Sequence, residues 1–95
     1  MDATAPRPSW TFLTNHTHLL VVLNREPAAR IRDLAEEVGI TQRAVQRILA
    51  ELVADGIIKV KKEGRRNLYR IQRRARLRHP LEQRHSLGAV LDLLQ

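Results

Sequence analysis

One short stretch of the chain combines amide and guanidinium side chains at a spacing that could contact a nucleic acid. Residues 41–52 read TQRAVQRILAEL, and their apolar members recur at the i, i+3, i+4, i+7 spacing of one helix face. Four polar residues share the opposite face: Gln42, Arg43, Gln46 and Arg47. Glutamine and arginine can hydrogen-bond to base edges and to phosphates. An ordinary solvated helix face would have the same pattern, so the rest of the chain must distinguish the two interpretations.

The positive charge of the chain is concentrated in one segment. The sequence has 17 Lys and Arg against 10 Asp and Glu, a formal net charge of +7. Residues 1–57 contribute −1, residues 58–85 contribute +9, and residues 86–95 contribute −1. A localised excess of this kind indicates a polyanionic partner. Nucleic acid is the first candidate and an anionic membrane is the second.

The composition excludes several classes of function. The 95 residues suffice for one domain with a small core. The absence of cysteine excludes disulfides, thiolate metal sites and cysteine nucleophiles. Trp10, Phe12 and Tyr69 are the only aromatic residues, too few for a platform that stacks several bases. No apolar run could cross a bilayer and the N-terminus is not a signal peptide, so a soluble cytoplasmic protein without a membrane partner is expected.

The pattern of apolar residues and helix caps predicts three helices. The first covers residues 15–25 and is capped by Asn15 or Thr17. The second lies within ARIRDLAEEVG, but its start is not fixed because no good capping residue precedes it. The third is capped by Thr41 and runs to about Asp55, where a glycine stops it.

A β-hairpin and a short helix are expected after these three helices. Residues 57–71 form the hairpin, and a basic connector follows over residues 73–85. Residues 86–95 then predict a helix with one apolar stripe: Leu87, Val90, Leu91 and Leu94. The connector has few apolar residues to hold this helix against the preceding domain, so we expect the stripe to pack across a two-fold axis in a homodimer. Trp10 and Phe12 are an alternative dimer contact, and a second alternative is that both elements fold back on their own domain.

The second and third predicted helices have the spacing of a helix-turn-helix. They are joined by VGIT, in which Gly39 supplies a positive backbone angle, and Ala35 is small where the two helices meet. The basic hairpin that follows makes this the winged version. The predicted fold is therefore mainly α with a small β-hairpin (α+β): an α-α-α-β-β winged helix-turn-helix core over residues 10–72, a flexible tail over residues 1–9, and the C-terminal helix.

The sequence LAEEVGITQRAVQRILAELVADGIIKVKKEGRRNLYRI resembles the winged helix-turn-helix domain of bacterial and archaeal transcriptional regulators of the MarR and ArsR type. The resemblance covers roughly residues 15–72. It implies a nucleoid-associated regulator in the prokaryotic cytoplasm that binds specific double-stranded DNA, with a recognition helix at 41–55 in the major groove. The wing, residues 57–71, would contact the flanking backbone or the minor groove.

The resemblance assigns the groove-facing positions to Gln42, Arg43, Gln46 and Arg47, and the wing tip to Arg65 and Arg66. Thr41, Lys61, Lys62 and Asn67 are predicted as further DNA contacts beside them. The alternative for Arg65 and Arg66 is an ordinary charged hairpin tip. Two features depart from the family. The cysteine ligands of metal-sensing members are absent, and the long dimerisation helices of drug-sensing members do not fit in this chain. The pattern does not identify a small-molecule effector, an operator, or the direction of regulation.

No enzyme, metal site or cofactor is expected. Ser9 and Ser86 have no nearby pattern of histidine and carboxylate, so no catalytic residue is predicted. His16 and His18 face different directions on a helix and cannot share a metal. Two other functions remain open: a winged-helix adaptor that binds protein, and an architectural protein that binds DNA without sequence preference.

Overall fold

Four helices and one β-hairpin make up the part of the chain that this computed structural model describes, residues 7–95. The elements in chain order are α1 (Asn15–Arg25), α2 (Ile31–Val38), α3 (Gln42–Ala54), β1 (Ile58–Glu63), β2 (Arg66–Ile71) and α4 (Leu87–Leu93). This arrangement confirms the predicted fold class. The predicted tail, residues 1–9, falls mostly outside the described residues. No helix in residues 7–95 has both the length and the apolar character needed to span a membrane.

The start of α1 differs from the prediction. Thr14, rather than Asn15 or Thr17, is the N-cap residue, and its carbonyl oxygen accepts hydrogen bonds from Thr17 N at 3.1 Å and His18 N at 3.2 Å. The Asn15 side chain is engaged elsewhere, because its Oδ1 lies 3.1 Å from His18 Nδ1. The Thr14 side chain makes no capping hydrogen bond, so only its backbone caps the helix.

The turn between α2 and α3 has the predicted geometry. Gly39 adopts φ +86°, and its N–H donates to Ala35 O at 2.8 Å, which ends α2 with a left-handed residue. Thr41 then caps α3, because its Oγ1 accepts from Ala44 N at 3.0 Å. These two hydrogen bonds define the end of α2 and the start of α3.

The core lies among the four helices and one face of the hairpin. Its innermost side chains include Leu19, Leu34, Val45 and Ile58. The two strands pair antiparallel, with Ile58 opposite Ile71, and Tyr69 N donates to Pro27 O at 2.9 Å. Apolar packing and this backbone hydrogen bond therefore attach the hairpin to the helices.

The expectation that the connector leaves α4 free of its own domain was wrong. Leu87 N donates to Ala75 O at 2.7 Å, and Leu77 N donates to His85 O at 3.1 Å, so connector and helix start are joined through the backbone. Leu87 and Leu91 are buried in the core, and Leu91 is 0% exposed. Half of the stripe assigned to a dimer interface is therefore internal.

Arg73 explains how a basic connector can hold an apolar helix. Its Nη1 donates to Asn24 Oδ1 of α1 at 3.2 Å, and its Nη2 donates to Gly88 O at 3.1 Å and to the Asp92 carboxylate. The Arg73 carbonyl also accepts from Gly88 N at 2.9 Å. Polar contacts, which apolar periodicity does not detect, thus join α1 to α4. Val90 is half-buried, and Leu94 is 38% exposed.

Candidate nucleic-acid interface

The polar face of α3 is open to solvent along its first two turns. Gln42, Arg43, Gln46 and Arg47 are all exposed. The opposite face is buried and consists of Val45, Ile48, Leu49 and Leu52. In the second half of α3 the outer face carries Ala50 and Ala54. Their small side chains leave room for a partner molecule to approach the helix closely. The structure thus brings the four predicted side chains of α3 onto one accessible surface.

The polar groups of this surface differ in how freely they can bind a partner. The Arg43 side chain has no hydrogen bond or ion pair among residues 7–95. Arg47 Nη1 donates to Glu51 Oε1 at 3.0 Å, and the same oxygen lies 3.3 Å from His16 Nε2 of α1. The Thr41 hydroxyl accepts the capping bond and can still donate its own proton. Arg43 is therefore the readier of the two arginines to bind a phosphate or a base.

The strand register divides the predicted wing residues between two faces. Side chains directly opposite each other in an antiparallel pair share a face, and alternate residues point to opposite faces. Lys62 is opposite Asn67, on the side of Tyr69, and Asn67 Nδ2 lies 3.5 Å from the Tyr69 hydroxyl. Lys61 is on the other side, 4.0 Å from Glu63. Lys61 and Lys62 therefore do not act from the same face.

The outer face of the hairpin contains an arginine that inspection of the sequence missed. Arg70 is exposed and lies directly opposite Lys59, on the same face as Lys61. The three cations form a basic strip along the wing. Arg70 was missed because the face on which it lies depends on the register of the hairpin, which sets Arg70 opposite Lys59.

The two arginines predicted at the wing tip are in different environments. Arg66 Nη2 donates to Ala28 O in the loop between α1 and α2. Arg65 is exposed and makes no side-chain hydrogen bond or ion pair within the described range, 7–95. Arg65 is therefore positioned to bind an external anion, whereas Arg66 also fastens the wing to the helical part of the domain.

A groove of about 350 Å³ between the wing tip and the start of α2 is lined by three arginines, Arg30, Arg65 and Arg66. Arg30 is the N-cap residue of α2 and makes no side-chain capping bond. The partial positive charge of the helix start adds to the three cations, so this groove suits a phosphate group. Arg30 was missed because the start of α2 could not be fixed from the sequence.

Several arginines of residues 58–85, the segment with a net charge of +9, are bound to other groups of the protein. Besides Arg73, Arg76 Nη1 donates to Arg84 O at 3.0 Å, and Arg78 Nη1 lies 3.0 Å from Asp55 Oδ2 at the end of α3. These interactions lie away from the first turns of α3. The connector is therefore a poorer candidate for DNA contact than the total charge of its segment indicates.

The comparisons with known proteins agree with this geometry. Residues 14–59 match a family model described as winged helix-turn-helix DNA-binding. No curated protein matches the sequence. The solved structure of a zinc-responsive MarR family member, ZitR of Lactococcus lactis, is similar with a TM-score of 0.52 and 22% sequence identity. The match covers 70% of this chain and 47% of that protein, so the chain spans about half the length of this neighbour. The chain thus has the winged helix-turn-helix fold, and residues 14–59 match the model of a DNA-binding family with that fold.

Proposed function

We propose that the chain is a transcriptional regulator that binds specific sequences in double-stranded DNA. In this proposal α3 lies in the major groove, and the wing contacts the flanking backbone or the minor groove. The observation that carries the proposal is the exposed polar face of α3, with Gln42, Arg43 and Gln46 accessible on a helix whose other face is anchored in the core. Arginine can pair with guanine and glutamine with adenine in the major groove.

The proposed backbone contacts come from the neighbouring basic surfaces. The protein groove lined by Arg30, Arg65 and Arg66 would bind a phosphate of the DNA backbone. This contact would set the position of α3 in the major groove. The basic strip of Lys59, Lys61 and Arg70 would extend this contact along the wing. Such contacts add affinity for any sequence, whereas α3 would supply the discrimination.

We further propose that the regulator acts as a homodimer in the prokaryotic cytoplasm, because a symmetric pair of domains reads two half-sites. Apolar side chains that remain exposed support an interface. On α4 they include Leu93, at 82% exposure, and ahead of α1 they include Trp10 and Phe12, at 66% and 92%. The zinc response belongs to the Lactococcus protein. Residues 7–95 contain no group of three His, Cys, Asp or Glu side chains that could hold a metal, and we propose no metal effector.

The decisive experiment for this function isolates genomic fragments that bind the protein and then measures their affinity in competition with random duplex across a salt series. A specific regulator should prefer its best fragment by at least about 10³-fold. Equal affinity for both DNAs would instead support an architectural protein. Failure to bind any duplex at low salt would support a protein-binding adaptor.

A further inference from the structure

The only lysine or arginine ahead of α1 lies on the turn of the helix-turn-helix. Arg7 is the first such residue in the chain, and the next is Arg25 at the end of α1. The Arg7 guanidinium packs on Gly39, where a Cβ atom would lie 2.8 Å from Arg7 Nε and 2.9 Å from Arg7 Cζ. Gly39 therefore has a second role besides its backbone angle, because its lack of a side chain leaves room for this guanidinium.

The contacts of Arg7 within the domain are weak and leave its charge without a counterion. Its Nη2 lies 3.5 Å from Glu37 O, at the upper limit for a hydrogen bond, and the Glu37 carboxylate is already bound to Arg25 at 3.2 Å. Among residues 7–95 Arg7 forms no ion pair, and its side chain is exposed. Because a guanidinium has several N–H donors, Arg7 can bind an external anion while it stays on Gly39.

The segment that contains Arg7 passes along the recognition helix. At one end Arg7 contacts Gly39, in the turn before α3. At the other end Thr14 lines a surface depression together with Leu52 and Asp55, at the last turn of α3. Both ends of this segment are therefore held against the domain, beside α3.

The position of Arg7 on Gly39 is close to the groove-facing residues of α3. Two residues separate Gly39 from Gln42, so their Cα atoms are at most about 11 Å apart. The major groove is about 12 Å wide, and the phosphate backbones form its edges. When Gln42 lies in the groove, as in the proposed function, a phosphate at the edge of the groove therefore comes within reach of Arg7.

We propose that the segment ahead of α1 is part of the DNA interface, and that Arg7 binds a backbone phosphate beside the start of α3. This inference rests on the proposed function and extends the interface beyond the winged helix-turn-helix, because the match to the family model begins at residue 14. A phosphate contact adds affinity for every sequence and makes binding more dependent on salt.

The test measures the affinity of the full chain for a random-sequence duplex as a function of salt concentration. Arg7→Gln removes the charge but retains an amide that can donate to Glu37 O. The ratio of its affinities at about 50 and 200 mM salt should be about 3.5-fold smaller than the wild-type ratio, because one phosphate contact is lost. Arg7→Lys keeps the charge and should retain the wild-type salt dependence.

Arg84→Gln is the matched control, because it removes one charge from an exposed residue of the connector and should retain the wild-type salt dependence. A wild-type salt dependence in Arg7→Gln would overturn this inference alone. Equal changes in Arg7→Gln and Arg84→Gln would also overturn it, because they would reflect net charge rather than a contact at Arg7. A wild-type chain that binds no duplex at low salt would overturn the proposed function as well, so the two failures are distinguishable.

Discussion

At the scale of single residues, the arginines differ in whether their guanidinium group is already bound. Within residues 7–95, Arg43 and Arg65 have no side-chain partner, whereas Arg66, Arg73 and Arg78 each bind a carbonyl or a carboxylate of the fold. A guanidinium without such a partner can bind phosphate without breaking an internal interaction. The sequence identifies the residue types, but it does not reveal partners such as Ala28, which is 38 positions from Arg66.

Because of this difference, substitutions of the two wing-tip arginines should have different effects on DNA binding and on stability. We expect Arg65→Ala to weaken binding to all duplexes and to make the salt dependence shallower by about one unit for each phosphate that is no longer bound, with the free energy of unfolding unchanged. Arg66→Ala should in addition lower the free energy of unfolding by about 1 kcal/mol, because it removes the hydrogen bond to Ala28 O. DNA titrations at several salt concentrations and urea unfolding measure the two effects. An unchanged salt dependence in Arg65→Ala would remove this residue from the interface.

At the scale of elements, the sequence predicted helices and strands well because their apolar periodicity and caps are local. The α1 range of 15–25 and the Thr41 cap agree with the structure. The placement of α4 was not predictable in the same way. Its attachment depends on the polar contacts of Arg73 with α1 and α4, and a hydropathy pattern does not reveal polar contacts. The same holds for Arg30 and Arg70, whose positions depend on a helix start and on a strand register.

The two threonine N-caps provide a matched test of how α3 is fixed. Thr41→Ala should cost about 1 kcal/mol of unfolding free energy, because it removes the hydrogen bond that Ala44 N donates to the hydroxyl. Thr14→Ala should cost clearly less, because the Thr14 side chain makes no capping bond. Urea unfolding of both variants gives the comparison. Equal decreases in stability would show that the Thr41 hydroxyl does not stabilise α3.

The internal packing of α4 is tested by two leucines on the same helix. Leu91→Ala should cost about 2–5 kcal/mol, because Leu91 is fully buried. Leu93→Ala should change the free energy of unfolding by less than about 0.5 kcal/mol, because Leu93 is 82% exposed. Thermal or urea unfolding at low protein concentration limits any contribution from dimerisation. A small effect of Leu91→Ala would mean that α4 does not pack on its own domain.

At the scale of the whole molecule, the burial of Leu87 and Leu91 changes what a dimer can use. Removing residues 86–95 would take two leucines out of the core, so we expect this truncation to destabilise the domain rather than to leave a folded monomer. The exposed residues Leu93, Trp10 and Phe12 are the better candidates for an interface.

The dimer proposal therefore predicts a sedimentation result. The full chain should be dimeric at micromolar concentration, and either Leu93→Ser or the pair Trp10→Ser and Phe12→Ser should produce a folded monomer with lower operator affinity, because a monomer binds only one half-site. Leu81→Ser serves as a control, because Leu81 is exposed at 86% and lies in the connector. A wild-type chain that is monomeric at this concentration would contradict the proposal.

The most direct test of the central claim, that the exposed face of α3 reads DNA sequence, is the ratio of affinities for the best operator and for random duplex. Arg43→Ala combined with Gln46→Ala should lower this ratio by about 1–3 kcal/mol for each bidentate pairing with a base that the substitutions remove. Arg84→Ala removes one charge from the connector and should leave the ratio unchanged. An equal decrease in affinity for operator and random DNA in the double variant would show that these residues hold phosphate, and would contradict the claim.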